Sequence, residues 1–264
     1  MQVGFLTSLF ADPCTRGRDV NDPATTLLHA ELVRSKGFLR AIYDEWYRSI
    51  ARTLPEGAGA LLELGSGPGF LKRYVPDVIA SDLFPFPGVS LVADACRLPL
   101  VPGSLRGLIM TNVLHHLSQP RHFLEEATRC LRPGGVLVMV EPWVTSWSRL
   151  VYSKFHHEPF EPTAVDWEFL SSGPRSGANG ALPWIIFSRD RARFEREFPD
   201  LHVESVTPFM PFRYLLSGGV SLRSLQPKSA FPFWRAAERS LKPFMGSLAM
   251  FCMIALRRTG APAG

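Results

Sequence analysis

Cysteine is scarce. The 264 residues hold four, Cys14, Cys96, Cys130 and Cys252, at no spacing that suits a metal site. That argues against a disulfide-stapled scaffold or a zinc ribbon and predicts reduced thiols in a cytoplasmic protein. Long apolar runs are also missing. The longest, Gly246 to Leu256, falls well short of the roughly 20 residues a spanning helix needs. The first residues carry neither a basic n-region nor a long apolar stretch, so no secretory leader is expected. No internal repeat is visible. Acidic residues are nearly absent from the C-terminal part: from Arg213 onward eight basic residues face one acid, Glu238, so that part carries +7 and residues 1–212 carry −2. What remains is ordinary. Apolar residues at 46% and charged residues at 20% suit a globular protein with an ample core.

A NAD-type G-x-G-x-x-G fingerprint is lacking too. In Leu-Leu-Glu-Leu-Gly-Ser-Gly-Pro-Gly, residues 61–69, the third glycine falls one place early and Phe70 stands where the fingerprint needs glycine. The stretch reads as a buried strand ending at an acid, Glu63, and breaking into Gly65, Ser66, Gly67 and Gly69. Such a loop lets a ligand approach the main chain with no Cβ in the way. Val78 to Asp82 reads as a second strand ending in an acid at about the twenty-residue separation of a ribose-binding carboxyl group. A third, Val89 to Ala95, ends at Asp94-Ala95. A fourth, Gly107 to Thr111, runs into Asn112-Val113-Leu114-His115-His116. A helix from about Pro120 to Leu131 stops at Arg132-Pro133-Gly134-Gly135, and Val136 to Glu141 follows as a continuous apolar strand of a covered parallel sheet. Leu83 to Gly88, with Pro85 and Pro87, leaves no room for a crossover helix between the second and third strands.

These strand ends, over residues 57–142, resemble the class I S-adenosylmethionine (SAM)-dependent methyltransferases, and most of all the quinone-biosynthesis-type small-molecule group, where an Asn/Ser-x-x-His-His step follows the fourth strand. The resemblance implies an α/β fold: a seven-stranded Rossmann-like sandwich with an N-terminal helical lid and insertions after the fifth and sixth strands. It implies SAM as cofactor. Glu63, Gly65, Ser66, Gly67 and Gly69 would hold its methionine end, Asp82 with Leu83 the ribose, and Asp94 with Ala95 the adenine. Asn112 would stand near the methyl. The Asn/Asp-Pro-Pro-aromatic step of the nucleobase and glutamine amino-methyltransferases is absent at Asn112 to His115, so no DNA partner is expected.

Residues 1–56 are expected to form the helical lid, with helices over 24–34 and 37–53. Phe38, Ile42, Trp46 and Ile50 recur at helical spacing as a packing stripe. Residues 57–264 would be the SAM-binding methyltransferase domain that the resemblance implies. Within it, 142–187 is too long for a plain connection and holds Trp143, Trp147, Trp167 and Trp184, so it is read as an acceptor lid. Ser188 is expected to cap a helix through about Phe198. Strands are expected over about 201–212 and, antiparallel, over 247–257. The segment 213–242 is a basic, aromatic insertion. Basic residues beside aromatics over 209–242 suit a membrane surface or a nucleic acid, and equally suit elements packed on the core.

Three histidines are candidate bases, since a phenol or alcohol acceptor needs one near the methyl. His115 and His116 follow the fourth strand, with one of the two expected to face the pocket, and His157 lies in His156-His157-Glu158. Adjacent histidines on a strand or helix diverge, so no metal site is expected from that pair. The sequence therefore predicts methyl transfer to a small or hydrophobic acceptor: a lipid, a quinone-like molecule or a lipid-linked one. An RNA or protein methyltransferase and a non-catalytic scaffold are the alternatives.

Overall fold

The computed structural model describes residues 12–15, 21–155, 158–171, 173 and 177–260. Helix α1 (Pro23–Ser35) starts where Asp22 accepts a hydrogen bond from Ala24 N (2.8 Å), with proline at its first position. Helix α2 (Gly37–Thr53) buries Phe38, Leu39, Ile42, Trp46, Tyr47 and Ile50 along one face. Then come β1 (Ala60–Leu64), β2 (Val78–Asp82), β3 (Leu91–Val92), β4 (Leu105–Thr111), α3 (Pro120–Cys130), β5 (Leu131–Pro142) and α4 (Ser146–Phe155). The chain closes with α5 (Arg191–Glu197), β6 (Leu201–Phe209), α6 (Arg213–Ser217), α7 (Phe231–Ser240) and β7 (Phe251–Arg258).

The seven strands form one sheet in the order β3-β2-β1-β4-β5-β7-β6. Pairings from β3 to β5 are parallel, and β7 runs antiparallel between β5 and β6. Side chains alternate across β1 and β4, so the sheet carries a core on each face. Leu62, Leu64, Leu108 and Met110 pack with Phe123 and Leu124 of α3 on one side. Leu61 and Ile109 pack with Phe38, Ile42, Trp46 and Ile50 of α2 on the other. This is the expected α/β sandwich.

Several boundaries differ from expectation. Arg132 to Gly135 is not a turn outside the sheet: Leu131 pairs with Leu105 and Val136 with Gly107, so the segment is an irregularity inside β5. Positive φ at Gly134 (75°) permits it. After the glycine loop only a short 3-10 turn, Phe70–Arg73, forms, because β2 begins at Val78. Ser188 lies inside a π-helical stretch, Ile185–Arg189, and α5 starts instead after Asp190, whose carbonyl accepts from Arg193 N and Phe194 N. β6 stops at Phe209, before Met210 with φ 57°.

The four tryptophans of 142–187 are packing groups. Trp167 is fully buried and donates to Asp190 Oδ2 (2.9 Å), while Trp147 donates to the Pro211 carbonyl (2.8 Å). None of the four lines the cavity described below. Arg213, counted with the basic insertion, is buried between Glu45 and Glu238. No helix among the described residues is long and apolar enough to cross a membrane.

Candidate functional site

A cavity of about 390 Å³ opens over the carboxyl ends of β1, β2, β3 and β4, the edge where parallel sheets bind ligands. Its floor is the β1 loop. Gly65, Gly67 and Gly69 have φ of 63°, 50° and 72°, and a Cβ on Gly65 would stand 2.5 Å from Val113 Cγ2. Gly67 N–H donates to Asp82 Oδ2 (2.9 Å), and Ser66 N–H donates to the Ser81 carbonyl (2.9 Å). Asp82 thus fixes the loop from the end of β2. Glu63 is buried on the same wall with its Oε2 unpaired among the described residues. Burial, reinforced by the nearby Asp82, pushes its pKa up to about 8. Asp94 Oδ1 accepts from Cys96 N (2.9 Å), which orients it at the end of β3 beside buried Ala95.

The opposite wall begins where β4 ends. Asn112 takes φ 56°, and the chain then forms a 3-10 turn, Leu114–His116. Glu141, fully buried on β5, organises this turn. Its Oε1 accepts from Val113 N and Leu114 N, both at 2.8 Å, and its Oε2 lies 2.6 Å from His115 Nδ1. His115 Nε2 is 3.6 Å from Glu158, and the pull of Glu141 and Glu158 outweighs burial to raise the His115 pKa to about 9. His116 stacks beside it, ring centroids 4.1 Å apart, and burial and the neighbouring His115 lower its pKa to about 4. Asn179 N–H donates to the His115 carbonyl (2.9 Å), pinning the lid segment to the turn.

The roof comes from three places. Helix α1 contributes Thr25, Thr26 and His29. The segment 142–187 contributes Val151, Tyr152, Pro159 and Phe160. The segment 213–242 contributes Tyr214, Leu215 and the turn at 218–222. Lys36 Nζ donates to the Leu222 carbonyl (2.6 Å) and pairs with Asp12 (3.1 Å), which ties that turn to α1.

Residues 62–139 match a family model described as a methyltransferase domain. An uncharacterised protein encoded in a transposon of Streptomyces fradiae is 47% identical over 51 residues, which is 19% of this chain and 15% of that protein. The match spans less than a sixth of that relative's length. Among solved structures, the geranyl diphosphate C-methyltransferase of Streptomyces coelicolor A3(2), in complex with Mg2+, geranyl diphosphate and S-adenosyl-L-homocysteine (SAH), is similar at 14% identity and TM-score 0.52, covering 94% of this chain and 89% of that one. A chain from the complex of the Haloferax volcanii Trm112 methyltransferase activator with a putative methyltransferase is similar at 16% identity and TM-score 0.51, covering 89% and 97%. At these identities the likeness is one of fold.

The structure brings together nearly all of the residues that the sequence singled out for a donor site. Glu63, Gly65, Ser66, Gly67, Asp82, Leu83, Asp94, Ala95 and Asn112 line the one cavity. Gly69 does not. It sits under the loop, where a Cβ would meet Ala80 Cβ and the Gly88 carbonyl oxygen at 3.5 Å. His115 and His116 both face the cavity, and His157, with His156, lies outside the described residues.

The residues fit SAM. The β1 loop presents glycine backbone bare of Cβ, and Glu63 keeps an unpaired oxygen able to accept from an ammonium group. Tyr43 and Tyr47 also line the cavity, and burial raises the pKa of Tyr43 to about 12. The link from Glu141 to His115 and the turn at 218–222 carried no sequence motif. Only the paired glycines Gly218-Gly219 hinted at the latter.

Proposed function

We propose that this chain is a SAM-dependent methyltransferase acting on a small hydrophobic acceptor, of the lipid, quinone-like or lipid-linked kind. One observation carries the reading. A single cavity joins the glycine loop and strand-end acids to an apolar chamber walled by Tyr152, Phe160, Tyr214, Leu215, Met250 and Phe251. Glu63 and the amides of the β1 loop would hold the methionine end, Asp82 the ribose hydroxyls, and Asp94 with Ala95 the adenine. When bound, SAM supplies an activated methyl on a sulfonium. The protein's part is then alignment and exclusion of water, and alignment is worth roughly 7–11 kcal/mol in well-oriented systems.

Asn112 and the Leu114–His116 turn stand between the two halves, where an acceptor atom would meet the methyl. His115 and His116 both line the cavity there. The similar geranyl diphosphate enzyme acts on a prenyl diphosphate, an acceptor whose chain is apolar. The exposed Phe233 and Phe244, close in sequence to Arg235, Arg239 and Lys242, support contact with an anionic membrane surface that would deliver such an acceptor.

Calorimetric titration with SAM and SAH, followed by a screen of prenyl, phenolic and lipid acceptors for methyl transfer, tests the proposal. Micromolar SAH binding with transfer to an apolar acceptor is expected. An absence of binding to either nucleoside overturns it.

A further inference from the structure

Adjacent histidines point apart on a regular strand or helix, yet His115 and His116 do not. The left-handed Asn112 and the 3-10 turn that follows bring both rings to one side, with centroids 4.1 Å apart. Glu158, from the lid segment, faces both: its Oε2 is 3.6 Å from His115 Nε2 and its Oε1 is 4.0 Å from His116 Nε2. All three ligand atoms lie within 4.8 Å of one another, and all three residues line the cavity.

These separations are too long for hydrogen bonds, which close at about 2.7–3.2 Å. They are near the spacing of atoms sharing a metal ion. Ligands about 2.0–2.1 Å from a tetrahedral ion stand about 3.4 Å from each other. His115 is also prepared as metal-bound histidines are. Its Nδ1 is held 2.6 Å from the Glu141 carboxyl, which fixes the ring and directs Nε2 inward. Glu141 is itself fixed by two backbone amides, Val113 N–H and Leu114 N–H.

We propose that His115, His116 and Glu158 form a site for one divalent transition-metal ion on the acceptor side of the cavity. Two imidazoles and one carboxyl group favour ions of the Zn²⁺, Fe²⁺ and Co²⁺ type over Mg²⁺ or Ca²⁺, which prefer all-oxygen shells. Three protein ligands leave coordination positions open to the cavity. With the ion bound, an oxygen of the acceptor would fill those positions. The site therefore selects an apolar molecule bearing a hydroxyl or phenol, whose proton passes to solvent as the oxygen becomes a ligand. This assignment of acceptor class rests on the methyltransferase reading; the metal site itself does not.

The test is a titration of the chelator-treated full chain with Co²⁺, followed by its visible absorption, with Zn²⁺ as competitor. About one equivalent of Co²⁺ is expected to bind with ligand-field bands of low coordination number. Affinity should fall at least about ten-fold in both His116→Ala and the near-isosteric Glu158→Gln. Thermal melting of each variant checks that it is folded, and Glu158→Gln carries the test should His116→Ala fail to fold. Absence of saturable Co²⁺ binding, or unchanged affinity in folded Glu158→Gln, overturns the site. SAH binding by the same metal-free wild type reports the donor site separately. SAH binding without Co²⁺ binding overturns the metal site and leaves the methyltransferase reading standing, whereas Co²⁺ binding without SAH binding upholds the metal site alone.

Discussion

Glu141 Oε2 lies 2.6 Å from His115 Nδ1, and the same carboxyl group accepts the amides of Val113 and Leu114. One buried side chain on β5 therefore sets both the backbone of the turn after β4 and the tautomer of its first histidine. Glu141→Gln keeps an acceptor for the two amides but turns an NH2 donor towards Nδ1. The variant should fold, and above pH 9, where the wild-type ring is neutral, its His115 should carry the proton on Nε2 in place of Nδ1, which 15N NMR of the ring reads directly. Glu141→Ala should cost about 3 kcal/mol or more in chemical denaturation, because buried donors lose their acceptor. An unchanged tautomer in Glu141→Gln would refute the link.

Gly65 and Gly67 should respond differently to alanine. Both have positive φ, a cost of roughly 1–2 kcal/mol for an L side chain. At Gly65 the new Cβ also meets Val113 Cγ2 at 2.5 Å, whereas at Gly67 the nearest atom is Thr26 Cγ2 at 3.5 Å. Overpacking adds roughly 1–3 kcal/mol at the first site only. Thermal melts should place Gly65→Ala below Gly67→Ala; the reverse order would contradict the packing described.

Asp82 holds Gly67 N–H at 2.9 Å. Asp82→Ala removes that anchor together with the proposed acceptor for ribose hydroxyls, each charge-assisted bond being worth about 1.5–3 kcal/mol. SAH affinity measured by calorimetry should drop about 100-fold, close to 3 kcal/mol. A loss smaller than about five-fold (roughly 1 kcal/mol) counts against the ribose role.

Glu63 gives a pH signature. Its folded pKa is raised from 4.5 to about 8. Between those values the folded chain keeps a proton that the unfolded chain has released. Stability of the ligand-free protein from this group is therefore full below pH 4.5 and is lost as pH rises through 8, with a slope of up to about 1.4 kcal/mol per pH unit. A ligand ammonium beside the carboxyl group favours its ionised form, so SAH binding near pH 7 should release a proton. Titrations in buffers of differing ionisation heat measure this, and Glu63→Gln should abolish both effects.

Phe233 and Phe244, 68% and 61% exposed, are the test of membrane contact. Vesicles rich in anionic lipid should co-sediment the wild type more than a Phe233→Ser/Phe244→Ser double variant, with binding weakened by salt. Equal sedimentation of the two proteins removes these residues from any such contact.

Much of the glycine-loop side of the cavity was legible in the chain. Glu63, Gly65 and Gly67, then Asp82, Asp94 and Asn112, fall at strand ends, because a parallel strand buried on both faces must be an apolar run and its end must be a polar or glycine break. Those signals are local, written within a few residues of each other. The same holds for α2, whose stripe of Phe38, Ile42, Trp46 and Ile50 is buried as its period requires.

The other side of the cavity was legible only in part: His115, His116 and the segment 142–187 were expected there and line it, but their partners come from distant parts of the chain. The tryptophans of 142–187 marked burial and not a ligand surface: Trp167 bonds Asp190, and the cavity takes Tyr152 and Phe160 from the same segment instead. Arg213 stood in a basic, aromatic segment that suited either a surface or the core, and only the fold shows Glu45 on α2 and Glu238 on α7 burying it. Ser188 offered a cap, but the π-helical stretch from Ile185 moved the helix start beyond it.

The sequence by itself determined the sheet, the glycine loop and the acids over it, since periodicity and backbone freedom act between near neighbours. Only the tertiary structure decided that Glu141, His115, His116 and Glu158 meet over one cavity. Glu141 and Glu158 reach the turn after β4 from another strand and from the lid, and side-chain convergence of that kind depends on how the sheet and its cover pack in three dimensions.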